Sequence, residues 1–285
     1  MSIKDQLNAR FETLTRAEKQ LTLLLLENYP ASALGTITEL ASKSGVSTPT
    51  VARLVQKLGY VGYPHFQRAL RKEVGAEIAN PIEKHENWAE HAPDEHILNR
   101  FADAVSQNVR HTFSNLKTED FDQVCTLLAN TDHKMNIVGG RISRSLADYL
   151  FTHMQVIRPR VTHMTSNSNA WPHYLLDMNE GDLLVIFDVR RYENDLRRLA
   201  EMAQERGVQI ILFTDQWGSP ISKIATHKFN CHIEAPSAWD SSMVTMLLLE
   251  AIIAQVQDVN WEQTKLRMNT LEDLFDRTRL FRKFT

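Results

Sequence analysis

Hydroxyl and basic side chains cluster in residues 36–59, where they could contact a polyanion. Hydroxyl groups can bond base edges or phosphates, and arginine or lysine can bind guanine or phosphate. The stretch 36–72 has six basic residues and one acid, Glu39. This pattern favours a nucleic acid as the polyanion. The candidate contacts are Thr36, Ser47, Thr48, Pro49, Thr50, Arg53 and Lys57.

The elements that would position these side chains have the pattern of a helix-turn-helix. Thr36 and Glu39 match a capping box, which starts a helix. Ala41 is small enough for close helix packing, and Gly45 permits the positive φ angle of a tight turn. A second helix is predicted over residues 47–58. In a major groove, such a helix presents its N-terminal residues to the bases.

A second candidate site follows apolar runs in the C-terminal part of the chain. Gly139 and Gly140 would let backbone amides approach an anion at the start of a helix. Arg141 and Ser143 add a charge and a hydroxyl there. The plainer interpretation is a strand–helix turn that needs glycine for its geometry.

From residue 134 onward, short apolar runs alternate with helical patterns. Strands are predicted at 135–138, 160–164, 183–187, 209–213 and 229–233. Strands that alternate with helices, without hairpin turns, predict a parallel sheet covered on both faces. The predicted fold class is α/β: an all-α helix-turn-helix bundle followed by a doubly wound, parallel five-stranded α-β-α sandwich. We place the first domain at 1–79, a polar linker between prolines at 80–93, and the second domain at 94–285.

Composition excludes several classes of protein. Hydrophobic residues make up 43% and charged residues 24% of the 285, as in ordinary globular proteins. No apolar run is long enough for a membrane span or a signal peptide, so we expect a cytoplasmic protein without a membrane partner. Two cysteines without ligand spacing predict neither disulfides nor a metal site. We expect no cofactor and no catalytic residues. Residues 1–79 carry ten basic and seven acidic residues, against 22 and 28 in the remainder.

Residues 45–66 resemble the RpiR family of bacterial transcription regulators. The matching positions are Val46, Ser47, Thr50, Val51, Arg53, Lys57, Leu58, Gly59, Gly62, Tyr63 and Phe66. The resemblance adds Tyr63 to the candidate DNA contacts. It also implies that the second domain is an SIS (sugar isomerase) domain, which usually binds phosphosugars.

The chain departs from the SIS pattern in the loop after the third strand. That loop usually reads Ser-x-Ser-Gly-x-Thr, whereas Asp188, Arg190, Arg191 and Glu193 stand here. Three alternatives remain open: the arginines bind an anion through their side chains, Asp188 and Arg190 pair and hold the loop, or the pocket has lost its ligand. The predicted ligand site comprises Gly139, Gly140, Arg141, Ser143, Asp188, Arg190, Arg191, Thr214 and Ser241.

These patterns together predict a DNA-binding transcription regulator, with repression as the expected direction. A small anionic metabolite (a sugar phosphate, a sugar acid or another carboxylate) would modulate its affinity for double-stranded operator DNA. A homodimer or homotetramer is expected. The alternative is an aldose–ketose isomerase with an assembly domain, whose general base would come from Glu193, His163, His173 or Glu250. A basic helix-turn-helix serves no purpose in an isomerase, so we expect no enzyme activity.

Overall fold

The computed structural model describes residues 3–27, 29, 35–78, 81–90, 95–279 and 281. The chain divides into two compact units, one of residues 1–100 with 236–239 and one of residues 101–235 with 240–285. Within the described ranges, no single helix is long and apolar enough to cross a bilayer. Two consecutive helices, Met243–Val259 and Trp261–Thr278, reach that length only together, and they are bent by 99°.

The first unit is helical, as predicted. Its core is formed by apolar residues of successive helices, among them Leu21, Leu40, Leu54 and Phe66, each of which is almost fully buried. Burying one such side chain stabilises the fold by roughly 1.5–3 kcal/mol. The helices are α1 (Ile3–Arg10), α2 (Arg16–Glu27), α3 (Ile37–Ser44), α4 (Thr48–Lys57), α5 (Tyr63–Ile78) and α6 (Pro81–Glu90).

Helix α6 lies inside the segment that the sequence predicts to be a linker. Its ten residues are helical although their composition is polar. Proline is favoured at a helix start because its missing N–H would have no helical partner there, and Pro81 begins α6. Residues 79–80 and 91–94 lie outside the described part of the chain, so the domain boundaries at 79 and 93 stay a prediction.

The second unit alternates strands and helices. The strands are β1 (Met135–Gly139), β2 (Val161–His163), β3 (Leu183–Phe187), β4 (Gln209–Asp215) and β5 (His227–Cys231). The helices are α7 (Ile97–Asn115), which begins in the first unit, α8 (Thr118–Ala129), α9 (Arg144–Ile157), α10 (Trp171–Leu176), α11 (Asn194–Glu205), α12 (Met243–Val259) and α13 (Trp261–Thr278).

The five strands form one parallel sheet in the order β2-β1-β3-β4-β5. Every residue of β1 and β3 is buried, so helices cover both faces. Leu184 and Ile186 pack in one cluster with residues of α10 and α11. On the sheet's other side, α9 packs against β1 and also contacts α12, which packs on α8. The predicted doubly wound fold is confirmed.

Strand β5 begins and ends two residues earlier than predicted. Its pairing with β4 ends where Asp215 lies opposite Cys231. Beyond that point the Ile233 amide donates to the Gln216 side-chain oxygen at 3.1 Å instead of to a strand. The apolar periodicity of the sequence does not reveal that the Gln216 side chain replaces a neighbouring strand as the acceptor for this amide.

The strand order defines a switch point between β1 and β3. The chain leaves β1 toward β2 on one side, and it later returns to β3 on the other side. The loops that follow the carboxyl ends of β1 and β3 therefore lead in opposite directions, and ligands of such sheets bind at this switch point.

Candidate nucleic-acid interface and candidate ligand site

Helices α3 and α4 form the predicted helix-turn-helix. The capping box at Thr36 is complete: its hydroxyl accepts from the Glu39 amide at 3.2 Å, and its amide donates to the Glu39 carboxylate at 2.8 Å. Gly45 ends α3 with a φ of 64°, a conformation that glycine adopts without a steric penalty. Ala41 and Val51 are buried where the helices cross. The turn and the packing therefore follow the sequence prediction.

The outward face of α4 carries the predicted contacts. Pro49 and Arg53 are exposed, and Thr48 and Thr50 are half-buried. The Arg53 Nε donates to the Pro49 carbonyl at 3.3 Å, which leaves the guanidinium at the surface. Ser47 occupies the N-cap position as predicted, but its hydroxyl bonds the Thr50 hydroxyl at 2.9 Å instead of a helix amide. Because α4 contains no acidic residue, this face would attract phosphate.

Lys57 is not a fully available cation. Its Nζ lies 2.7 Å from Oε2 of Glu18, a nearly buried carboxylate on α2. Burial raises the pKa of Glu18, but bonds from Lys57 and Thr15 outweigh that effect, so the pKa lies below its ordinary value. The ion pair ties α2 to α4 and reduces the charge that Lys57 can offer to a phosphate.

Tyr63 does not lie on the exposed face, contrary to the sequence expectation. The residue is buried, and its hydroxyl donates to the Gly35 carbonyl at 3.0 Å. Its ring packs at 5.9 Å from that of Phe66. Burial raises the pKa of Tyr63. The aromatic ring thus serves the core of the first unit, because it fills space at the start of α5 that a smaller residue would leave empty.

In the second unit, the glycine turn after β1 is built as predicted. A Cβ atom at Gly139 would lie 2.7 Å from backbone atoms of Ser143 and Arg144, so a side chain there would force the backbone to move. The Gly140 amide donates to the Ser143 hydroxyl at 3.0 Å. That hydroxyl in turn donates to the Phe187 carbonyl at 2.8 Å, which joins the ends of β1 and β3.

Asp188 begins the loop after β3 and is almost completely buried. Its carboxylate accepts from the Glu193 amide at 3.2 Å and from the Ser219 hydroxyl. Burial raises the pKa of Asp188 to about 6, although these two bonds act in the opposite direction. The buried carboxylate therefore holds the loop after β3 through these two hydrogen bonds.

Asp215 lies at the end of β4 and holds the loop after β3 as well as the loop after β4. The sequence prediction missed this residue. Its carboxylate is fully buried and accepts from the Arg190 amide and the Tyr192 hydroxyl, each at 2.7 Å. It also accepts from the amides of Trp217 and Gly218 at 3.0 and 3.1 Å. Burial raises the pKa of Asp215, and the four donors oppose that rise. The sequence signal that could have identified Asp215 was an acidic residue at the carboxyl end of a parallel strand.

Arg190 does not pair with Asp188, so that alternative is wrong. Its Nε lies 2.8 Å from Oδ2 of Asp240, and its guanidinium lies 4.3 Å from the centre of the Trp217 ring. Trp217 is itself buried. The Arg190 side chain therefore lies between an acid and an aromatic face. Arg191 is exposed, with a φ of 60° that places its side chain at the turn of the loop.

Thr214 and Ser241 are buried and engaged in local bonds. The Thr214 hydroxyl accepts from the Ser219 amide at 2.9 Å. The Ser241 hydroxyl accepts from the Met243 amide at 3.3 Å, which serves the start of α12. Among the described residues, no group of three or more His, Cys, Asp or Glu side chains is arranged to hold a metal ion.

The raised pKa of Asp188 predicts a pH-dependent effect of Asp188→Asn on stability. Between the ordinary pKa of 3.8 and about 6, the folded protein retains a proton that the unfolded chain releases. The contribution of protonated Asp188 to the free energy of unfolding is therefore present below pH 3.8, and it is lost as the pH rises to about 6. Relative to wild type, the Asp188→Asn variant should therefore gain about 2 kcal/mol between pH 4 and pH 7.

Urea denaturation at both pH values measures this difference. The control is Asp122→Asn, which makes the same change at an exposed position on α8. An equal effect of Asp188→Asn at both pH values would contradict the assignment of Asp188 as a destabilised buried carboxylate.

Comparison with known proteins accounts for both units. Residues 1–77 match the family model described as a helix-turn-helix domain of the rpiR family. Residues 127–255 match the model of the SIS domain. The chain belongs to the rpiR family of helix-turn-helix proteins, with an SIS domain as its second unit. The predicted family and its two-part architecture are thereby confirmed.

Relatives of this rpiR-family chain are named as regulators. The HTH-type transcriptional regulator HexR of Pseudomonas aeruginosa is 22% identical over 228 residues, which cover 79% of this chain and 77% of HexR. Among solved structures, the sugar isomerase domain of the RpiR transcription factor from Sphaerobacter thermophilus is similar with a TM-score of 0.57. It is 20% identical, and the match covers 62% of this chain and 97% of that chain.

A solved structure also matches across both units. The NanR protein of Vibrio vulnificus, complexed with ManNAc-6P, has a TM-score of 0.55 and 18% identity. The match covers 95% of this chain and 97% of NanR. At this level of identity the likeness shows the shared fold.

Proposed function

We propose that this rpiR-family chain is a transcription regulator that binds double-stranded operator DNA through α4. The exposed, acid-free face of α4 with Arg53 at its centre carries the proposal. The N-terminal residues of α4 would read base edges, and Arg53 would bind a guanine or clamp a phosphate. Repression is the direction of regulation that we propose.

We further propose that a small anionic metabolite binds at the carboxyl ends of β1 and β3 and changes the affinity for DNA. The switch point between β1 and β3, with Arg141 and Arg190 in the loops that follow these strands, supports this part of the proposal. If the ligand binds the two DNA-affinity states unequally, DNA must in turn change the affinity for the ligand. NanR, which shares the fold, is complexed with the sugar phosphate ManNAc-6P.

Self-association is part of the same proposal, because a dimer would place two α4 helices in successive major grooves about 34 Å apart. Several large apolar side chains of the second unit's α12 and α13 are exposed, including Met243, Leu266 and Leu274. Apolar surface of this kind is typical of interfaces. We propose these exposed side chains of α12 and α13 as the place where a second copy would bind.

An isomerase is not the proposed activity. The side chains considered as general bases contact other groups of the fold. Glu193 accepts from the Arg141 amide, and Glu250 accepts from the Tyr149 hydroxyl at 3.2 Å. The Nδ1 atom of His173 lies 3.3 Å from the Ala170 carbonyl oxygen. His163 lies 3.4 Å from the Asp148 carboxylate and stacks on Phe151. No observation in the described structure favours turnover over binding.

Arg53→Ala tests the DNA-binding proposal. It should weaken binding to DNA from upstream of the protein's own gene by about 1–3 kcal/mol, or about 5- to 150-fold in Kd. Fluorescence anisotropy at low salt measures the Kd values. The control is Arg198→Ala, which removes the same charge from an exposed position on α11 of the second unit.

The control variant should bind DNA as tightly as wild type does. Equal affinities of wild type and Arg53→Ala, with both proteins folded by circular dichroism, would remove α4 from the interface and overturn the proposed function.

A further inference from the structure

The carboxylate of Glu193 occupies the turn after β1. Its Oε1 accepts a hydrogen bond from the Arg141 amide at 2.6 Å, although the two residues are 52 positions apart in sequence. A Cβ atom at Gly140 would lie 2.6 Å from the same oxygen. The absence of a side chain at Gly140 is therefore what allows the carboxylate to approach this closely.

The donors at this turn are already engaged. The Arg141 amide donates to Glu193, and the Gly140 amide lies within bonding distance of the Ser143 hydroxyl and the Phe187 carbonyl. Helix α9 begins immediately afterwards, at Arg144, and its N-terminus carries a partial positive charge. An incoming anion would use these groups, and one of them, the Arg141 amide, already bonds the Glu193 carboxylate of the same chain.

Glu193 reaches this position from the loop that replaces the usual SIS sequence. It stands at the N-cap position of α11 but makes no capping bond with its side chain. Its own amide donates to the buried Asp188 carboxylate at 3.2 Å. The bond to Asp188 thus holds the backbone of Glu193 in place, whereas the half-buried side chain of Glu193 can move without disturbing the core.

We propose that Glu193 is a built-in anion that an incoming anionic ligand must displace from the Arg141 amide. This inference rests on the ligand site of the proposed function. A like charge at the turn opposes a second anion, so the wild-type site is selective against a simple phosphate. Displacement also moves the side chain that links the loop after β3 to the turn after β1, which couples ligand occupancy to the position of that loop.

Binding of inorganic phosphate to variants of the full chain tests this inference. Glu193→Ser removes the competing carboxylate, and it should bind phosphate about 10- to 100-fold more tightly than wild type, as expected for a lost bond to a charged group. Glu193→Gln should gain less, because an amide oxygen can still accept from Arg141. The control Glu205→Ser removes an exposed acid at the far end of α11 and should match wild type.

The readout is the rise in melting temperature with sodium phosphate against sodium chloride at equal ionic strength, since a ligand that binds the folded state raises it. Equal phosphate affinities of wild type and Glu193→Ser would overturn the inference. If Glu193→Ser does not fold, an unchanged affinity in Glu193→Gln overturns it instead. DNA binding by wild type without phosphate is measured separately, so failure of the proposed function is distinguishable from failure of this inference.

Discussion

Asp215→Ala is expected to lower the free energy of unfolding by about 3–5 kcal/mol, because it leaves several donors without an acceptor. The Asp215 carboxylate accepts four hydrogen bonds, from the amides of Arg190, Trp217 and Gly218 and from the Tyr192 hydroxyl. The carboxylate is fully buried, so water does not readily replace it. Each unpaired buried donor costs about 1–3 kcal/mol, reduced where the loop can relax.

Urea denaturation followed by tryptophan fluorescence measures this loss. The matched control is Asp122→Ala, which removes an exposed carboxylate from α8 and should change stability by no more than about 0.5 kcal/mol. Similar losses in the two variants would show that Asp215 does not hold the loops after β3 and β4.

Arg158→Met is expected to lower the free energy of unfolding by about 3–4 kcal/mol, because three carbonyl groups lose their donor. The Arg158 guanidinium is fully buried. It donates to the carbonyls of Leu128 at 2.8 Å, Pro159 at 3.3 Å and His133. Burial lowers the pKa of Arg158 to about 10, so the side chain stays charged at neutral pH. Methionine keeps much of the volume but offers no donor.

Arg160→Met is the control for this substitution, because Arg160 is exposed and donates one bond, to the Asp132 carbonyl at 2.9 Å. Its effect should stay below about 1 kcal/mol. Chemical denaturation of both variants makes the comparison. An Arg158→Met protein as stable as Arg160→Met would mean that the buried bonds contribute little beyond the cost of burying the charge.

The helix-turn-helix could be predicted from the sequence because its signals are local. The capping box at Thr36, the glycine at position 45 and the apolar spacing of α4 each act within a few residues. The same holds for the central strands, whose apolar runs are buried on both faces. Local propensity and burial agree in the helix-turn-helix and in the central strands, so the apolar periodicity predicted these elements correctly.

The loop after β3 could be predicted only in part. Sequence placed Asp188, Arg190 and Glu193 near the end of β3, but it could not choose their partners. Those partners come from distant positions: Ser219 for Asp188, Asp240 for Arg190 and Arg141 for Glu193. Asp188 and Arg190 are close in sequence and opposite in charge, which predicts an ion pair between them. That pair does not form, because the Arg190 side chain lies against Asp240 instead.

Tyr63 shows the converse difficulty. A tyrosine after a glycine-rich turn is compatible with both a surface contact and a core position. Its ring packs beside Phe66 and its hydroxyl reaches Gly35, 28 residues earlier in the chain. Only the packing of the first unit decides between the two roles. The same is true of Lys57, whose pairing with Glu18 depends on how α2 lies against α4.

The face of α4 around Arg53 is proposed to bind duplex DNA. Binding of the wild-type chain to a labelled fragment from upstream of its own gene, over a series of salt concentrations, tests this proposal. We predict measurable binding at about 50 mM salt, with log Kd rising linearly with log salt as phosphate contacts are screened. No binding to this fragment or to unrelated duplex DNA at about 50 mM salt would overturn the proposal that α4 binds DNA.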